Sequence, residues 1–244
     1  MTQFAPLPID AILPDLVAAL RGAGRAVLQA PPGAGKTTRV PLAILDAGLV
    51  TGRILMLEPR RLAARASAER MAETLGEACG ETVGYRIRGE AKTSARTRIE
   101  VVTEGILTRM IQSDPELPGI GAILFDEFHE RSLNADLGLA LALEVRAALR
   151  EDLMLVVMSA TLDAAPVAAL MEGAPVLTSE GRAFPVERIW LDQPRPKAER
   201  FENGMAALIR RALAETTGGV LAFLPGEGEI RRTAAQLSDL PAGV

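Results

Sequence analysis

The chain has 244 residues, with 27 Lys and Arg against 31 Asp and Glu, 48% hydrophobic and 3% aromatic; this suits one large α/β domain or two small ones and excludes disorder, a uniformly basic protein and aromatic stacking as the main grip on bases. Its single cysteine, Cys79, excludes an internal disulfide and a Cys-rich zinc site. The start Met-Thr-Gln-Phe-Ala-Pro lacks the basic and apolar regions of a signal peptide, and no apolar run reaches the roughly 18 residues of a membrane span, so a reduced cytoplasmic protein with no membrane role is expected.

From about residue 25 onward, short apolar β-type runs alternate with longer helical patterns, the rhythm of βαβ units and a parallel sheet. Strands are predicted at 26–29, 53–57, 82–85, 99–102, 122–125, 153–158 and 176–178. The helices Lys36 to Asp46, Arg61 to Leu75 and Ala135 to Leu149 fall between them, the last carrying Leu137, Leu141, Val145 and Leu149 at helical spacing. The composition changes at 179–185 and a Pro-rich patch follows at 194–196, which puts a domain boundary near residue 182. Beyond it the pattern predicts strands at 186–191 and 220–224 and helices at 202–215 and 229–237. These roughly 60 residues are few for an independent α/β domain.

The segment Ala30-Pro31-Pro32-Gly33-Ala34-Gly35-Lys36-Thr37-Thr38 lies between a predicted strand and a predicted helix, the setting of a P-loop. Its glycines let backbone N–H groups of 33–38 face an anion at a helix N-terminus, Lys36 can reach β and γ phosphates, and Thr37 can place its hydroxyl on Mg²⁺. Ala30 stands where the strict pattern has glycine, so that position must avoid positive φ. The strand 122–125 ends in Asp126 and Glu127. Alone, two acids after a buried strand are ordinary helix-start chemistry. Joined to a P-loop, Asp126 can hold Mg²⁺ through its water shell and Glu127 can polarise the water that attacks a γ phosphate. His129, the single histidine, can bond toward the γ phosphate or toward Ser159-Ala160-Thr161, a segment that on its own is also a helix cap.

Two basic clusters flank these motifs. Residues 60–70 hold Arg60, Arg61, Arg65 and Arg70 against Glu69, a local +3, and residues 84–98 hold Arg86, Arg88, Lys92, Arg96 and Arg98 against Glu90, a local +4. Each alone is a common solvated surface; phosphate binding is the functional alternative.

In this order the pieces resemble the DEAH/DExH branch of superfamily two helicases, over nearly the whole chain. Residues 30–38 are similar to motif I, 58–64 to motif Ia, 103–105 to motif Ib, 126–129 to motif II, 159–161 to motif III and 223–226 to motif IV. Phe128 replaces the family's Ala, and Asp-Glu-Phe-His-Glu-Arg-Ser with Arg86-Ile87-Arg88-Gly89-Glu90 is similar to the bacterial HrpB group of that branch. The resemblance implies a RecA-like P-loop NTPase domain over 1–181, the start of a second over 182–244, ATP and Mg²⁺ as cofactors, and single-stranded nucleic acid, RNA by family habit, as partner. It assigns Arg60, Arg61, Arg88 and Thr103 to the sugar-phosphate backbone, Arg70 to the adenine, and Ser159 and Thr161 to coupling nucleotide state with strand movement. Contacts of that kind bind without reading sequence and weaken with salt. No segment resembling motif V or the arginine-rich motif VI occurs before Val244. Slow turnover without unwinding is therefore expected of this stretch. A nucleotide- or RNA-holding regulatory module and another kind of P-loop enzyme are the alternatives. Oligomeric state is not fixed by these patterns.

Overall fold

The computed structural model describes residues 6–160, 163–181, 185–193 and 199–240. The chain divides into two compact units, Met1–Phe184 and Pro185–Val244. In the first, a short 3-10 turn, Pro8–Ile12, leads into α1 (Leu13–Ala23), followed by β1 (Arg25–Gln29), α2 (Lys36–Asp46), β2 (Arg53–Glu58) and α3 (Arg61–Leu75). Then come β3 (Val83–Ile87), β4 (Glu90–Lys92), β5 (Ile99–Thr103), α4 (Gly105–Ser113), β6 (Ile120–Phe125) and α5 (Leu133–Ala148). The unit closes with β7 (Met154–Ser159), α6 (Ala164–Leu170) and β8 (Val176–Thr178).

The strands form one sheet in the order β4-β3-β5-β2-β6-β7-β1-β8. Every pairing is parallel except the β3–β4 hairpin at the edge. Parallel sheets are covered by helices on both faces, and the strands show it residue by residue. Ile54, Met56, Ala122, Leu124, Val156 and Met158 join one core, while Leu55, Leu57, Ile123, Phe125, Leu155 and Val157 join the other. The period of two hands alternate side chains to opposite faces. Residues of α1, α2 and α3 share the first core and residues of α4, α5 and α6 the second. Because the central strands run in one direction, their C-terminal residues Gln29, Glu58, Thr103, Phe125 and Ser159 collect along one edge, where open α/β sheets hold their ligands. Register makes the collection tight: Glu58 lies beside Thr103 and Gln29 beside Ser159.

The seven strands predicted in this unit form, with ends shifted by a residue or two. The edge hairpin, α1, α4 and α6 go beyond the predicted elements. The hairpin arises where Arg88 and Gly89 turn the chain, with Gly89 at φ 83°. Ala30 is not among the residues with positive φ, as its side chain requires.

In the second unit α7 (Phe201–Glu215) and α8 (Glu227–Ala235) pack together, with Arg232 Nε on Glu202 Oε1 at 2.5 Å and Arg210 Nη2 donating to the Gln236 carbonyl at 2.8 Å. The strands predicted at 186–191 and 220–224 are not formed. A strand needs a neighbour to take its backbone groups, and among the described residues none pairs with either run; Trp190 and Phe223 stand 81% and 82% exposed. Among the described residues no helix is long and apolar enough to cross a membrane.

Phe125, 1% exposed at the end of β6, anchors the acidic pair that follows it. Phe125→Ala is expected to lower the unfolding free energy by about 3–5 kcal/mol, read by urea titration. Gly138→Ala is expected to be nearly neutral, since its new methyl would meet Leu107 and Phe125 at 3.4 and 3.5 Å.

Candidate phosphate-binding site

The turn between β1 and α2 is shaped by Gly33 and Gly35, at φ 78° and 96°. Its entrance is stitched to β7, where the Ala30 N–H donates to the Ser159 carbonyl at 2.9 Å. Its exit is braced by the N-terminal turn. The Ile9 N–H donates to the Ala34 carbonyl at 3.1 Å, and a Cβ on Gly35 would meet Leu7 Cδ1 at 2.5 Å. Gly181, past β8, lies so close to Pro31 that a Cβ there would overlap its ring. The loop is packed from two sides.

Lys36 opens α2 with 3% of its surface exposed and places Nζ 2.9 Å from Glu127 Oε1. Glu127 Oε2 is 3.4 Å from His129 Nδ1, and the same nitrogen is 3.4 Å from the Ala160 N–H. His129 Nδ1 thus stands between the Glu127 carboxylate and the backbone just past β7, and links that backbone to the acidic turn. Asp126, 3% exposed, accepts the Glu127 N–H on Oδ1 at 2.8 Å, and its Oδ2 is buried with no hydrogen-bond partner. Burial pushes the Asp126 carboxyl above the usual range, against the nearby Thr37 hydroxyl and Lys36 ammonium. An orphaned carboxylate oxygen beside a hydroxyl is a fitting partner for a hard cation. Among the described residues no three His, Cys, Asp or Glu are placed to hold a metal by themselves. Mg²⁺ on a nucleotide needs no such cluster, since it keeps waters and phosphate oxygens and takes one or two protein ligands.

A third carboxylate joins this pair. Glu58, the last residue of β2, is 3% exposed, and burial together with the charges of Asp126 and Glu127 pushes it up to about 8. The sequence signal for it is the one that marks Asp126: an apolar strand, Ile54 to Leu57, that ends in an acid. Glu58 lines a cavity of about 290 Å³ with Thr37, Arg60, Ser67, Glu127 and Glu130. Arg70 lies one turn beyond Ser67 along α3, outside that lining, and pairs with Glu73 at 2.7 Å.

The backbone of the acidic turn is strained. Glu127 at φ 49° and Arg131 at φ 52° flank a 3-10 turn, Phe128–Glu130. Non-glycine residues there cost roughly 1–3 kcal/mol each, and such outliers gather at functional sites.

The two basic clusters diverge. Arg60 Nη2 reaches back over the acidic turn to Glu130 Oε1 at 2.9 Å. Arg61 is exposed at the start of α3. Arg88 and Thr103 line a separate cavity of about 670 Å³ with Arg86, Arg109, Ser113 and Asn134. Its lining contains three arginines and no acid. Arg86 is held there by Glu100, which is 1% exposed on β5 and also takes Arg53. Ser159 is buried at the end of β7, and Thr161 lies outside the described residues.

Comparison with known proteins gives the family and the fold. Residues 12–170 match the DEAD/DEAH box helicase family. The chain is 53% identical over 232 residues to ATP-dependent RNA helicase HrpB of Escherichia coli, covering 95% of this chain and 28% of that protein. It is 34% identical over 240 residues to ATP-dependent RNA helicase HrpA of Borreliella burgdorferi, covering 96% of this chain and 29% of that one. The crystal structure of the E. coli DEAH/RHA helicase HrpB superposes with a TM-score of 0.86 at 52% identity, over 95% of this chain and 29% of its own. The chain thus spans under a third of the length of these relatives.

Because the Glu58 carboxyl sits above its unfolded value of 4.5, its contribution to stability is complete below about pH 4.5 and lost as pH rises through about 8. Glu58→Gln removes that loss. The melting temperature of the variant minus that of the wild type is expected to grow from about pH 5 to about pH 8; a difference independent of pH would refute the assignment.

Proposed function

Because the chain belongs to the DEAD/DEAH box helicase family, we propose that it is the ATP-binding N-terminal portion of an ATP-dependent RNA helicase, with residues 182–244 beginning a second RecA-like domain. The observation that carries this is the convergence of Lys36, Asp126 and Glu127 at one sheet edge, with Lys36 Nζ already seated on the Glu127 carboxylate. A buried ammonium paired with a single part-exposed carboxylate can exchange that partner for a phosphate. When phosphates enter, Lys36 exchanges Glu127 for the β and γ oxygens, and the loop N–H groups of residues 33–38 take the remaining charge.

Thr37 and Asp126 would hold Mg²⁺, and the orphaned Oδ2 supports that assignment. The cation, when bound, neutralises developing phosphate charge. Glu127, relieved of Lys36, is then free to accept the proton of the attacking water. His129, between Glu127 and the Ala160 N–H, orients the carboxylate and senses β7. Ser159 and Thr161 follow as the coupling pair, and Arg70 awaits the adenine on the α3 face that carries Ser67.

For the strand we assign two patches, Arg60 with Arg61 at the start of α3, and the arginine-lined cavity that holds Arg88 and Thr103. Arginine forks suit phosphate oxygens, so binding tolerates sequence and weakens with salt. The assigned partner is single-stranded RNA.

Lys36→Ala is expected to weaken ATP binding about 10- to 100-fold, measured by titration calorimetry. Glu127→Gln is expected to keep binding and lose hydrolysis by about 10²- to 10⁴-fold, followed as phosphate release with and without single-stranded RNA. Equal hydrolysis by Glu127→Gln and wild type would remove Glu127 from its role. Hydrolysis indifferent to RNA, with binding indifferent to salt, would remove the strand.

A further inference from the structure

The strained turn after Glu127 is tied to both segments that we assign near the strand. On one side Glu130 Oε1 accepts from Arg60 Nη2 at 2.9 Å. On the other, Ser132 caps α5 by accepting the Ala135 N–H at 3.0 Å and donates its hydroxyl to Glu104, the neighbour of Thr103. Arg131, the left-handed residue between these two anchors, pairs with Asp136 at 3.1 Å and stands 6.0 Å from the centre of the Phe128 ring. At the upstream end of this turn Glu127 lies on Lys36, and within it His129 lies beside Ala160. Nothing in the mechanism above uses Glu130 or Ser132.

We infer that Glu130 is a positioning residue that competes with the phosphates of the bound strand for Arg60, and so ties strand occupancy to the placement of Glu127. The inference rests on the assignment of Arg60 to the strand. Three observations argue for it. The Arg60 and Glu130 side chains are 72% and 32% exposed, so the pair is solvent-screened and weak enough to be exchanged. A guanidinium binds phosphate through two parallel bonds where Glu130 offers one in this structure. Finally, Glu130 lies within one short turn of Glu127, and both residues that bound the turn hold left-handed backbone. Losing the Arg60 bond removes a restraint on that conformation, while Ser132 on Glu104 keeps the far end fixed. The turn then pivots about its C-terminal anchor.

The test is a double-mutant cycle on the whole chain, with a fluorescein-labelled single-stranded oligoribonucleotide as probe and anisotropy as readout. Wild type, Arg60→Gln, Glu130→Gln and the double variant are compared at one salt concentration. Glu130→Gln is expected to tighten RNA binding by about two- to fivefold, and this gain is expected to vanish when Arg60 is already Gln. Tightening of equal size in both backgrounds would mean simple loss of a negative charge and would overturn the inference. Weaker binding by Arg60→Gln with no effect of Glu130→Gln would overturn it while leaving the strand assignment standing. Unchanged binding by Arg60→Gln would overturn both. As a readout that a merely structural role would not move, saturating RNA should shift the affinity for a non-hydrolysable ATP analogue in the wild type, and by a smaller factor in Glu130→Gln, because coupling between two ligands is reciprocal. An equal shift in the two proteins would also overturn it.

Discussion

A buried ammonium surrounded by carboxylates is the constraint from which this site follows. Lys36 reaches Glu127, and Asp126 and Glu58 stand within its field, so the sheet edge gathers more negative charge than one cation balances. Water cannot screen the excess, because Lys36, Asp126 and Glu58 are each 3% exposed. The structure answers in two ways. Glu58 retains its proton well above the ordinary carboxylate range. Asp126 is left with only the protonated Glu58 carboxyl and the Thr37 hydroxyl as side-chain donors, partners that a cation with its own ligands can replace. This distribution of charge supports the proposed fit of a metal-bound polyphosphate.

Topology makes that concentration of charge possible. Antiparallel neighbours would alternate their ends between two edges, whereas the parallel run from β5 through β1 puts each C-terminus on the same side. The two cores hold the run in register, one on each face. Strand ends then sit at spacings fixed by the ladder, and the side chains one residue beyond them share a crevice. The helices contribute by starting there: α2 with Lys36, α3 with Arg61 and α4 just after Glu104.

Much of this was legible in the sequence. The loop 30–38 and the acids after β6 announce themselves because their chemistry is local: glycines where φ must be positive, a lysine at a helix start, carboxylates at the end of an apolar strand. The central strands β1, β2, β5, β6 and β7 were legible for a related reason, since burial on both faces leaves an unbroken apolar run, whereas the exposed edge strand β4 carries no such signal. What escaped is what depends on partners distant in the chain. Glu58 carries the strand-end signal, yet only the β2–β6 pairing brings it beside Asp126. Leu7 and Ile9 show no periodicity that points to Gly35. Glu130 finds Arg60 across 70 positions, and Ser132 finds Glu104 across 28. The runs 186–191 and 220–224 fail in the opposite sense. Their composition reports a wish to be buried in a sheet, and no strand stands beside them among the described residues.

The brace on the loop's exit bears on how the molecule can be cut. Trimming to the first full helix, at Leu13, looks harmless on a diagram of elements, because it discards only a short turn. It also discards the methyl groups that lie on Gly35 and the N–H that fixes the Ala34 carbonyl. A shortened chain would keep every residue of the phosphate loop and lose the wall that gives the loop its shape. For anyone choosing where to begin an expressed fragment, the left-hand border of this domain is set by Leu7, not by the helix that follows it.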